Sequence, residues 1–172
     1  MRVGTVLSGI ALVGVVSMGT YLFFERDPSF SDHHDDGHDH GHGVTFAAGV
    51  PGDPTARSRT IEIAMVEHAD GRMAFDPSTI EARVGEQVLF KIRNRGTMAH
   101  EMIVATLAEN LRHAEEMKRN PDMEHADPNG IRLTADHGGE ILWRFTKAGE
   151  FDFSCLIPGH REAGMSGKVV VR

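Results

Sequence analysis

Cys155, His160 and Met165 stand at five-residue intervals on one short stretch, Phe151-Asp-Phe-Ser-Cys155-Leu-Ile-Pro-Gly-His160-Arg-Glu-Ala-Gly-Met165. A thiolate, an imidazole and a weak thioether are three of the four donors of a His2Cys site with an axial Met, the set that favours a blue-copper centre. A second imidazole is needed to complete it. His100, at the head of a β-prone run upstream, is the candidate.

Cys155 is the only cysteine among the 172 residues, so no intramolecular disulfide can form. Yet the chain opens on an apolar run, Val3 to Phe24, without a charged side chain, long enough to cross a bilayer as a helix. Such a segment directs export, and exported cysteines usually pair. A thiol held as a metal thiolate has a reason to stay single, whereas an inert buried cysteine would leave His160 and Met165 unexplained. The apolar run is open to two readings. Ser17-Met18-Gly19 offers a weak cleavage site for a signal peptide, and the length of the run suits an uncleaved anchor.

The elements that must position the donors begin at Arg59. Short runs with apolar residues at period two cover 60–66, 79–84, 87–93, 100–106, 130–134, 140–145, 150–154 and 167–171, with Gly, Asn, Asp or Pro at many junctions. Strands of this length and spacing predict an all-β sandwich. One segment breaks the pattern: Leu107, Leu111, Ala114 and Met117 form a helical stripe, so 107–119 is read as a surface helix and 120–129 as a loop inserted between strands. His100 then starts one strand and Cys155 ends another, and a sandwich can bring such ends together at one pole.

Between the apolar run and the sandwich, residues 26–58 are rich in Asp, His, Gly and Pro, too poor in core-forming residues to fold alone. This predicts three parts: a signal peptide or anchor at 1–25, a disordered His/Asp-rich linker at 26–58, and the folded domain at 59–172. The linker carries His33, His34, His38, His40 and His42 among aspartates and glycines. It could capture Cu(II), Zn(II) or Ni(II) flexibly and without selectivity.

A further group, His113, Met117, Met123 and His125, mixes thioether and imidazole donors that suit Cu(I), with His113 and Met117 one turn apart. It is either an accessory copper site or a packing methionine with solvent-facing neighbours. Met98 and Met102 beside His100 are read as rim or core packing, and His68 and His137 as solvent-facing turn residues. The formal net charge of −7 is spread along the chain, and nothing in it suggests nucleic-acid binding. No His-x-His pair lies beside the cysteine, so an oxidase or nitrite reductase built on several copper sites is not supported. The expected partners are copper ions and a redox partner protein, with membrane contact only through residues 1–25 if they are retained.

Phe151-x-Phe-x-Cys155, Pro158-Gly159-His160 and Met165-x-Gly167-x-Val169 resemble the ligand loop of cupredoxins, and the likeness extends over residues 59–172. It implies an eight-stranded Greek-key sandwich with His100 and His160 as imidazole ligands, Cys155 as thiolate and Met165 as axial thioether of one type 1 copper. His100-Glu-Met-Ile-Val104, the helical insertion and Pro121-Asp-Met-Glu-His125 are similar to exported bacterial copper-tolerance cupredoxins of the CopI type. That resemblance implies a periplasmic protein, soluble or anchored to the inner membrane, that contributes to copper tolerance by binding and oxidising Cu(I). The alternative it leaves is an electron carrier between redox partners. In one respect the chain departs from plastocyanin-like carriers. Glu101 stands after the first histidine, where those proteins have an Asn that ties the two ligand loops together, so the surroundings of the metal differ.

Overall fold

In the computed structural model, residues 46–120 and 127–172 are described. They form ten strands and one helix: β1 Val50–Pro51, β2 Arg59–Glu67, β3 Met73–Asp76, β4 Thr79–Ala82, β5 Gln87–Asn94, β6 His100–Ala105, α1 Leu107–Arg119, β7 Gly130–Leu133, β8 Gly138–Arg144, β9 Gly149–Ser154 and β10 Ser166–Val171. Two five-stranded sheets result, in the orders β1-β8-β5-β2-β3 and β4-β10-β9-β6-β7. The predicted all-β sandwich with one short helical insertion is the observed architecture. Residues 1–45, with the apolar run and the five linker histidines, lie outside the described residues, as do Met123 and His125. Among the described residues no helix is long and apolar enough to cross a membrane.

The period-two pattern places the core between the sheets. On β5, Val88, Phe90 and Ile92 are buried while Lys91 and Arg93 face out, as alternation along a pleated strand requires. They join Ile63, Met65, Phe75, Trp143, Phe145, Phe153 and Val169 in one cluster, with Phe75 edge-on to Phe153 at a centroid distance of 5.2 Å.

β6 breaks the alternation, since all six of its residues are buried. Met102 and Val104 belong to the main core, whereas Ile103 packs on the other face against Met117, Leu156 and Ala114. The helix therefore covers what would otherwise be the outer face of β6. It starts at Thr106 through a capping box, Thr106 and Glu109 each bonding the other's backbone, which satisfies donors left open at a helix start.

The helix sits over residues 107–119 as predicted, but its buried stripe differs. Met117 is buried and Ala114 packs beside it as expected, but Leu107 and Leu111 are 50% and 48% exposed, and Asn110 is buried instead. The reason is polar: Asn110 Nδ2 donates to the Ile103 carbonyl at 3.1 Å and to Asp152 Oδ1 at 2.7 Å.

Packing also reaches upstream of the compositional boundary at 58/59. Val50 and Pro51 pair with Arg144 and Trp143, Ala48 is fully buried, and Phe46 meets the Trp143 ring edge-on at 5.2 Å. The part of the expected linker from Phe46 to Pro51 is thus laid on the sheet.

Candidate metal centre

Strand pairing explains why residues distant in sequence meet. β6 runs antiparallel to β9 with Ile103 opposite Ser154, so the start of β6, at His100, lies beside the end of β9, where Cys155 follows. β9 in turn pairs with β10, Ser154 opposite Ser166, which brings Met165 alongside; the Cys155 N–H donates to the Met165 carbonyl at 3.1 Å. Between them the loop turns at Pro158-Gly159, with the His160 N–H on the Ile157 carbonyl at 3.0 Å. Gly159 has φ of 91°, and a turn with Pro at its second position and a positive φ at its third calls for glycine there. The Met165 N–H closes the loop on the His160 carbonyl at 3.0 Å.

His100, Cys155 and His160 each offer a donor atom, all within 4.8 Å of one another and all from buried residues. Nδ1 of His100 lies 3.0 Å from Nδ1 of His160, and Cys155 Sγ lies 3.3 Å from the same His160 atom. Met165 is fully buried in the adjoining core. Two imidazoles and a thiol converging in a water-poor pole form a soft, nitrogen-and-sulfur donor set that fits copper.

The thiol is tuned by its surroundings. Burial pushes the Cys155 pKa up to about 12, helped by the nearby Glu101 charge and opposed by the N–H of Glu101, which donates to Sγ at 3.4 Å. Burial, with His100 beside it, lowers the pKa of His160. Metal binding must displace the thiol proton, so Cu(II) affinity should rise about tenfold per pH unit across the neutral range, with proton release on loading. Competition titrations at several pH values would show that slope, and a flat profile would contradict a thiolate ligand. Below the lowered His160 pKa the slope should steepen, as an imidazole proton must also leave.

Three features around the donors escaped sequence reasoning. Glu67, at the end of β2, places Oε1 2.9 Å from His100 Nε2. Hydrogen bonds from Met98 N–H above all, and from Thr97 and His100, hold its carboxyl pKa down at about 2. Because an ionised carboxylate only accepts, this contact calls for an N–H at His100 Nε2, which turns the lone pair of Nδ1 toward Cys155 and His160. Asn94, fully buried, shapes the loop before His100, giving Nδ2 to the Met98 and Leu133 carbonyls at 2.8 and 3.1 Å and taking the Gly96 N–H at 2.9 Å. Arg161, next to His160, holds Asp152 with two bonds of 2.9 and 3.0 Å. Asp152 also accepts from Asn110 and Ser154, so one carboxylate joins the ligand loop, β9 and α1. Only tertiary pairing brings these groups together, and no local motif announces them.

Glu101 replaces the Asn of plastocyanin-like carriers without losing the tie. It is 2% exposed, and its Oε1 accepts the Leu156 N–H at 2.8 Å, joining the His100 strand to the Cys155 loop. Of the accessory group, Met117 is 1% exposed in the small cluster with Ile103 and Leu156. His113 lines a surface hollow with Glu109, Glu116 and Asp127. Met102 is core, Met98 is 42% exposed, and His68 and His137 are exposed.

A two-sheet sandwich with two histidines and a cysteine converging at one pole is the architecture of a small copper protein, and the chain belongs to the copper binding proteins of the plastocyanin/azurin family, matched over residues 62–172. Copper is therefore the cofactor of this site. Within that class the chain is similar to the copper-resistant cuproprotein CopI of Rubrivivax gelatinosus, 49% identical over 80% of this chain and 86% of that protein. It is also similar to the copper-resistant cuproprotein CopI of Pseudomonas aeruginosa, 31% identical over 76% of this chain and 84% of that one. Auracyanin A, a blue copper protein of Chloroflexus aurantiacus, shares the fold with a TM-score of 0.55 at 24% identity, over 67% of this chain and all of that one.

Proposed function

We propose that this chain is an exported cupredoxin of copper tolerance, which binds one copper at a type 1 centre of His100, Cys155, His160 and Met165 and keeps the ion from reactive targets in the periplasm. The convergence of His100 Nδ1, Cys155 Sγ and His160 Nδ1 in a buried pole carries the reading. The copper-resistant relatives support the physiological role. Bound copper supplies a one-electron couple between Cu(I) and Cu(II). The chain's own part is to fix the donors: β6, β9 and β10 set their spacing, Glu101 ties the two ligand segments, and the Asp152–Arg161 pair anchors the loop. A frame held this tightly favours small rearrangement between the two oxidation states.

In this reading the linker histidines His33, His34, His38, His40 and His42, with His113, Met123 and His125, are auxiliary capture sites feeding the centre, while Met117 packs in the apolar cluster under the helix. The site would take copper up as Cu(I) and hold it as Cu(II), with the electron given up to a redox partner protein. The test is growth in graded copper of a bacterial strain lacking its own homologue. The wild-type chain should restore growth at concentrations that arrest the null strain, and Cys155→Ser should not. Equal rescue by Cys155→Ser would refute a role that depends on this centre.

A second reading, an electron carrier, is favoured by one observation. Leu111, Ala114, Leu156, Ile157 and Pro158, with the charged Glu115, Lys118, Arg161 and Glu162, line a surface hollow between the helix and the ligand loop, a place where a redox partner could dock. This reading requires that tolerance be untouched when the auxiliary histidines and Met123 are replaced.

A further inference from the structure

Glu67 stands in the sequence as an ordinary residue at the end of an amphipathic strand, and nothing in the ligand motif points to it. Among the described residues it is the one carboxylate hydrogen-bonded to the back nitrogen of a ligand imidazole, with Oε1 2.9 Å from His100 Nε2. The His100 side chain is fully buried and that of Glu67 is 20% exposed, so water competes little for the bond. The same Oε1 takes the N–H groups of Thr97 at 2.8 Å and Met98 at 2.9 Å, and Oε2 takes the Thr97 hydroxyl at 2.8 Å. The approach depends on Gly96. A Cβ there would lie 2.2 Å from Glu67 Oε1 and 3.0 Å from His100 Nε2, so only a residue without a side chain leaves room for the contact.

We propose that Glu67 is a positioning residue of the copper centre, whose carboxylate fixes the His100 ring with Nδ1 free for the metal and biases bound copper toward Cu(II). An outer carboxylate fixes the tautomer of a ligating histidine and makes it a stronger donor. A stronger donor, with a negative charge one ring away, favours the more positive ion. The inference rests on the copper-centre reading of His100, Cys155 and His160 and is independent of the role in tolerance.

Glu67→Gln isolates the charge. An amide oxygen in the place of Oε1 keeps all three acceptor contacts, and the amide N–H can donate to the Thr97 hydroxyl, so the hydrogen-bond count is unchanged. In the copper-loaded full-length chain, poised in a redox buffer, this variant should keep the thiolate-to-copper absorption. Its Cu(I):Cu(II) ratio at fixed potential should rise about tenfold, equivalent to ~59 mV for a one-electron couple. Gly96→Ala, which forces the carboxylate away, should move the ratio in the same direction. In the metal-free wild type, long-range nitrogen–proton NMR should find the His100 proton on Nε2, a measurement that needs no variant to fold.

An unchanged or lower ratio in Glu67→Gln with the absorption intact would overturn the proposal while leaving the copper centre standing. A His100 proton on Nδ1 in the metal-free protein would overturn it as well. A wild-type protein without thiolate-to-copper absorption would remove the copper-centre reading and this inference with it.

Discussion

Cys155→Ser should erase the intense thiolate-to-copper charge-transfer absorption and weaken Cu(II) binding by more than about 100-fold, since loss of an outer-shell partner alone costs 10–100-fold. A hydroxyl in that position cannot act as a soft anionic donor at neutral pH. The apoprotein should remain folded, because serine fills nearly the same buried volume and its hydroxyl can still take the Glu101 N–H that now reaches Sγ. Circular dichroism of the metal-free variant checks that point. Met165→Leu is the contrasting change: the thiolate and both imidazoles remain, so colour should persist with an altered potential. A Cys155→Ser protein that kept the native absorption would contradict the assignment of the thiolate.

The second large effect is expected away from the donors. Asp152→Ala removes the acceptor shared by Arg161, Asn110 and Ser154 and leaves the Arg161 guanidinium without its partner in a setting where the two side chains are only 20% and 11% exposed. Breaking a largely buried pair on one side costs about 3 kcal/mol, which for a domain of this size lowers Tm by roughly 10 °C. Because Arg161 follows His160 directly, the loss should also weaken copper binding and broaden the electron paramagnetic resonance of the loaded protein. Arg161→Ala combined with Asp152→Ala should cost less than the sum of the two, with a coupling of about 1 kcal/mol or more, as residues in one network do. Simple additivity, with unchanged copper affinity, would show that the clamp plays no part in holding the loop.

The donors were legible in the sequence because a sulfur and an imidazole at fixed short spacing on one loop are a local signal. The upstream histidine could be named because strand periodicity placed it at an element's start. The sandwich followed from the same alternation, which marks 87–93 and 167–171 as half-buried strands. What escaped was whatever depends on long-range pairing. Glu67 is 33 residues from His100, and Asp152 is 42 from Asn110, distances over which composition and period say nothing. The helix shows the limit most directly. Its apolar residues suggested a buried stripe through Leu107 and Leu111, yet the fold buries Asn110, because a side chain able to bond both the β6 backbone and Asp152 suits that face better than leucine would. The β1 pairing at Val50–Pro51 was missed for a different reason: two residues amid Gly and Pro carry no periodicity to read.

A single thiolate-bound copper held by His100, Cys155, His160 and Met165 should be visible in a Cu(II) titration of the metal-free full-length chain followed by visible absorption. The thiolate-to-copper band should grow linearly and saturate at one copper per chain, with any further copper taken up by imidazole sites adding none to it. A chain that bound copper without that band, or whose band survived in Cys155→Ser, would contradict the account.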